Sequence, residues 1–165
     1  MNDEASITEK KLRDAFGSDV LAVSHFRDEL TIRITAARVV DVCTLLRDDE
    51  DLAYDLLSDL SAADYPEREK RFDINYHLYS LSKGHSVRIK IQVAEGESAP
   101  TVTGVWPGAN WHEREVYDMF GVEFAGHPDL RRILMWDEFE GHPLRKDFPL
   151  TTEPVPFRYG RPMET

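Results

Sequence analysis

Two segments near the middle of the chain, "RFDINYHLYSL" and "SVRIKIQV", alternate apolar and polar residues with the period of a β-strand. Phe72, Ile74, Tyr76 and Leu78 fall on one side of the first; Val87, Ile89, Ile91 and Val93 fall on one side of the second. Ser82 to His85, with a glycine among them, supply the turn, so the pair predicts an antiparallel hairpin with one apolar face. Such a face must be covered by another layer. The other side of each strand is polar, which leaves helices on one face only.

The rest of the first 124 residues supplies matching parts. "SITEKKLRDAFG" places Ser6 and Glu9 at capping-box spacing, carries Leu12, Ala15 and Phe16 on one side and stops at Gly17, as a short amphipathic helix does. "VLAVSHF" and "ELTIRIT" flank "RDE" and predict a second antiparallel hairpin, with Leu30, Ile32 and Ile34 inward. "AARVVDVCTLLRD" changes period: Val39, Val42, Cys43 and Leu46 form a helical stripe that Thr35 can cap. In "LAYDLLSDLSAADYP", Leu52, Tyr54 and Leu56 favour a strand. The predicted fold class is therefore α+β, a two-layer sandwich of a mainly antiparallel sheet with helices on one face.

After Phe124 the periodicity fails. Six of the nine prolines fall between Pro128 and Pro162, and proline removes backbone donors and fixes φ. Yet Leu130, Ile133, Leu134, Met135, Trp136, Phe139, Phe148, Phe157 and Tyr159 are too apolar for a merely solubilising tail. Residues 1–124 are read as one domain, and 125–165 as an extended C-terminal segment lying on that domain and on partner chains.

Several function classes are disfavoured. Twenty basic against 31 acidic residues give a net charge of −11, which repels phosphate backbones and anionic lipid, so no nucleic-acid partner is expected. No run approaches the roughly 18 apolar residues that span a bilayer, so membrane contact is expected only through partners. The single cysteine, Cys43, excludes an internal disulfide and any thiolate cluster built by this chain alone, and its place on the helical stripe favours a buried hydrophobe over a reactive thiol. No catalytic, cofactor or metal residue is expected. Glu113 and Glu115 point to different sides of a helix, and His112-Glu113 lacks the second helical histidine of a zinc-protease motif.

The densest chemistry lies in "NWHEREVYDMFG". Asn110 can cap a helix over Trp111 to Phe120, with Glu113 at the capping-box position, Gly121 as terminator, Arg114 paired with Asp118, and Val116 and Phe120 facing the sheet. That reading absorbs most of the charge. It leaves Trp111, His112, Tyr117 and Met119, and aromatics beside arginine and acids are the composition of an interface centre. "GHPDLRRILMW" and "GHPLRKDFPL" repeat a Gly-His-Pro turn followed by leucine and paired basics, whose Arg131, Arg132, Arg145 and Lys146 can meet carboxylates here or on a partner.

The stretch "EREVYDMFGVEFAGHPDLRRIL" resembles the signature of the C subunit of respiratory complex I, the NADH:quinone oxidoreductase. The matching positions are Glu113-Arg114-Glu115, Asp118-Met119-Phe120, His127, Arg131 and Ile133-Leu134, and the likeness runs from about Asp64 to Leu150. The resemblance implies a non-catalytic subunit of the peripheral arm, on the cytoplasmic side of a bacterial inner membrane. FMN and iron–sulfur clusters would belong to partner subunits, and this chain would bind no cofactor. Trp111, His112, Glu113, Arg114, Glu115, Asp118, Phe120, His127, Arg131, Arg132 and Arg145 would then face partners. The equivalent subunit of a membrane-bound hydrogenase or of an F420H2- or ferredoxin-linked dehydrogenase is the alternative.

Overall fold

The computed structural model describes residues 7–27 and 29–149, with the backbone alone of 3–6, 157–158 and 161–162. The chain runs α1 (Asp3–Phe16), β1 (Val20–Phe26), β2 (Glu29–Ile34), α2 (Val39–Asp48), β3 (Leu56–Asp64), β4 (Phe72–Ser80), β5 (His85–Val93), β6 (Ala99–Pro100), α3 (Ala109–Phe120) and β7 (Phe124–Ala125). Five strands form one sheet in the order β1-β2-β5-β4-β3, antiparallel except where β2 and β5 run parallel.

Both expected hairpins form. Register sets Ile32 beside Ile89, Ile89 beside Tyr76, and Ile91 beside Ile74, so the inward positions of three strands share one surface. The α2 stripe of Val39, Val42, Cys43 and Leu46 is fully buried against the core. Val116, Met119 and Phe120 of α3 join the same buried core cluster as the α2 stripe and Tyr76, which places the two helices on the same face of the sheet. The opposite face is polar. There Asp73 takes Lys90 and Gln92, and Arg88 meets Glu29.

Four local expectations are corrected. The first helix starts at Asp3, so Ser6 lies inside it rather than capping it; Leu12 is buried but Ala15 is exposed. Thr35 does not cap α2, because its hydroxyl donates to the Asp19 carboxylate at 2.8 Å. Leu52 and Tyr54 are buried, but in the connection before β3, where the Tyr54 amide still donates to the Leu46 carbonyl and continues the turn that ends α2. The inward residues of β3 are Leu57 and Leu60, out of step by a bulge before Asp59, while Leu56 is exposed. The aromatic tail residues Phe157 and Tyr159 have side chains outside the described residues.

A helix strapped by the C-terminal segment

The helix α3 opens two residues earlier than expected, at Ala109, with Gly108 preceding it and no side-chain cap. Asn110 is thus not the N-cap, and Glu113 does not close a capping box. Glu113 points into the fold with its side chain fully buried. It accepts the Thr101 hydroxyl at 2.5 Å and the Val102 amide at 2.7 Å. The parallel pair β6–β7 holds that loop against the helix. Burial pushes the Glu113 carboxyl up to about 7, and the two hydrogen bonds only partly oppose it.

His127 completes this buried corner, its ring nitrogen Nε2 lying 3.9 Å from Glu113. Its Nδ1 accepts the Asp129 amide at 3.0 Å, so the neutral ring carries its proton on Nε2 and donates to the Asn110 carbonyl at 3.3 Å. Tyr76 and Cys43 lie behind, both raised well above their usual range chiefly by burial.

Asp118 and Arg114 do not pair with each other. Asp118, fully buried, accepts Arg132 Nη1 at 2.6 Å on one oxygen. Its other oxygen accepts the successive amides of Ile133, Leu134 and Met135 at 3.1, 2.8 and 2.8 Å. Burial alone would raise this carboxyl; those amides and Arg132 outweigh it and hold it below the usual carboxylate range. Arg114 donates to the carbonyls of Arg131 and Arg132, and its guanidinium lies 5.3 Å from the Trp111 ring centre. Arg132 goes on to the carbonyls of Phe139 and Gly141. An acid and a base on one helix thus read the backbone of one segment from opposite polarities.

Further along, Arg145 donates to the Phe120 carbonyl and to Glu95 at 2.7 Å. Phe120 packs edge-on against Phe72. Gly121 ends the helix at φ 72°, and a Cβ there would stand 2.5 Å from the His142 ring, so glycine is required twice over: by conformation and by the closeness of the strap. Arg71, which the sequence did not single out, grips Asp64 with two nitrogens at 2.7 and 2.9 Å and reaches Glu95 and Asp147. That hub fastens the far end of the strap.

Of the candidate interface residues, Glu113, Arg114, Asp118, Phe120, His127, Arg132 and Arg145 are therefore bonded or packed within the chain. Trp111 at 61% exposure, Glu115 and Arg131 open to the outside, and His112 lies part-exposed 3.6 Å from Asp59. Leu134, 61% exposed, joins them. Among the described residues no group of three or more histidine, cysteine or carboxylate side chains is arranged to hold a metal ion.

A five-stranded α+β domain whose last helix is strapped by the following segment through buried Glu-Arg-…-Asp positions defines one class of protein. Residues 32–154 match the family described as respiratory-chain NADH dehydrogenase, 30 Kd subunit, and the chain belongs to that family. It is 46% identical over 160 residues to the NADH-quinone oxidoreductase C subunit of Roseiflexus sp. (strain RS-1), covering 96% of this chain and 91% of that one. With the same subunit of Caulobacter vibrioides it shares 55% identity over 132 residues, 80% of this chain and 67% of the relative. The fold matches a chain of a membrane-bound sulfane sulfur reductase, an archaeal respiratory membrane complex, with TM-score 0.76, 25% identity, and coverage of 90% and 87%.

Proposed function

We propose that this chain is a non-catalytic subunit of a proton-translocating NADH:quinone oxidoreductase. It would sit in the peripheral arm on the cytoplasmic side of the membrane and hold iron–sulfur neighbours in register while electrons pass from NADH to quinone. The observation that carries this reading is how the signature residues are used: Glu113, Arg114 and Asp118 each end on backbone, hydroxyl or guanidinium groups of the same chain. Charges so engaged fix the shape of a strap and leave Trp111, His112, Glu115 and Arg131 to meet a partner. Supporting it, the relatives are named as subunits of NADH-quinone oxidoreductase. No described helix is long and apolar enough to cross a membrane, so attachment through partners is in keeping.

The similarity to the sulfane sulfur reductase chain favours a second reading, the equivalent subunit of a related membrane-bound complex with a different electron donor. One experiment separates them. The chain is tagged, membranes are extracted gently, and the particle is assayed for flavin, iron–sulfur clusters and NADH:quinone activity. All three together support the first reading; clusters without NADH oxidation support the second. Recovery only as a lone chain from normally respiring cells overturns both.

A further inference from the structure

Glu113 accepts the Val102 amide on Oε1, and its Oε2 lies 2.5 Å from the Thr101 hydroxyl. Thr101 Oγ1 is in turn 2.9 Å from the Thr103 hydroxyl and accepts the Thr103 amide at 3.2 Å. Glu113 is fully buried, whereas Thr101 and Thr103 are part-exposed. One carboxyl oxygen and two hydroxyls thus run unbroken from the buried corner to the surface.

A hydroxyl has one proton and two lone pairs to place. The Thr103 amide occupies one lone pair of Thr101, and two arrangements fill the rest. With the carboxyl protonated, Glu113 donates to Thr101, and Thr101 donates to Thr103. With the carboxyl ionised, Thr103 donates to Thr101, and Thr101 donates to Glu113. The Val102 amide serves Oε1 in both. Both carboxyl oxygens and the Thr101 hydroxyl keep their partners in either state, and only hydroxyl hydrogens turn over.

The surroundings supply no counter-charge. Among the described residues no lysine or arginine pairs with Glu113. His127 Nε2 comes within 3.9 Å, but Nδ1 accepts the Asp129 amide at 3.0 Å, and an imidazolium has no lone pair for that bond. Cys43 of α2 and Tyr76 of β4 lie behind, kept neutral because burial raises both. A proton in this corner therefore sits on the carboxyl, and its way out is along the threonines rather than to His127.

We propose that Glu113 is a proton-binding site, loaded and emptied through the hydroxyls of Thr101 and Thr103. On unloading, the Glu113 Oε2–H bond breaks as Thr101 takes that proton. Thr101 passes its own proton to Thr103, and Thr103 releases one to water. The net change is one proton lost and one carboxylate formed. Burial lifts this carboxyl to about 7, which puts the exchange near neutral pH. The site belongs to the folded chain alone and is independent of the subunit reading.

The test follows the Glu113 carboxyl carbon by NMR in the full chain from about pH 4 to about pH 9, with Glu113→Gln identifying its signal. The signal should change once, with a midpoint near neutrality. The side-chain carbons of Thr101 and Thr103 should move with the same midpoint, because their hydroxyls reverse. The His127 ring should take up no proton as pH rises through it. Thr101→Val removes the donor to the ionised carboxyl and should raise the midpoint by about one pH unit or more, and Thr101→Ser should restore it. A midpoint in the ordinary carboxylate range overturns the site. A near-neutral midpoint that leaves the threonine carbons still, or that Thr101→Val does not move, overturns the hydroxyl route. A His127 ring that gains a proton as Glu113 loses one overturns it as well.

Discussion

Asp118 and Arg132 meet at 2.6 Å, and the carboxylate's second oxygen gathers three successive backbone amides that follow the arginine. One buried acid thus sets both the position and the turn of the strap. Removing one partner of a buried pair leaves the other desolvated, a loss of about 3–5 kcal/mol. Asp118→Ala should cost about that much in urea unfolding, and limited proteolysis should open between 127 and 148 before the sheet is touched. A variant as stable and as resistant as wild type would refute this account.

Glu113 gives the opposite sign with pH. Its carboxyl lies at about 7 in the fold against 4.5 when exposed, so the fold prefers the protonated form. The stability this contributes is complete below about 4.5 and is lost as pH rises through about 7. A shift of that size is worth about 3 kcal/mol. Between pH 5 and 8.5 wild type should weaken relative to Glu113→Gln, whose amide stays neutral. Parallel stability curves for the two would count against a buried, neutral Glu113.

Arg71 offers a test that charge alone cannot pass. Its two nitrogens on Asp64 form a bidentate fork, and the guanidinium holds that carboxyl low. Stability from Asp64 is therefore present above its unfolded value and is lost as pH falls through its folded one. Arg71→Lys keeps the charge but loses the fork and the reach to Glu95 and Asp147. It should cost about 2 kcal/mol, by the same urea unfolding, because charge-assisted bonds are lost from a largely buried group. Equal stability of the lysine variant would show the fork to be dispensable.

The strands and the α2 stripe were legible because their signal is local: alternation in "FDINYHL" and the helical spacing of Val39, Val42, Cys43 and Leu46. The destinations of Glu113 and Arg114 were not. Both fit a local role on paper, as capping-box acid and as i,i+4 base, and both instead reach groups brought near only by tertiary structure, Val102 and Arg132. Arg71 sits among other charges, and nothing in its neighbours announces Asp147. Cap and pair rules describe an isolated helix. This helix has a loop on one side and a strap on the other, and desolvation favours the partners that close over it.

The residues left outside this network define the last prediction. Trp111 and Arg131 are exposed, and among the described residues their side chains meet the Arg114 guanidinium and Asp129. Exposed contacts of this kind are worth under about 1 kcal/mol each. Trp111→Ala and Arg131→Glu should therefore leave urea unfolding of the isolated chain nearly unchanged. If these side chains meet a partner, the same substitutions should cut recovery of the assembled particle at least several-fold, since aromatic and arginine anchors dominate interface energy. Asp118→Ala should lose both stability and assembly. Surface variants that assemble like wild type would leave α3 with an internal role alone, and the partner-facing surface would have to lie elsewhere on the chain.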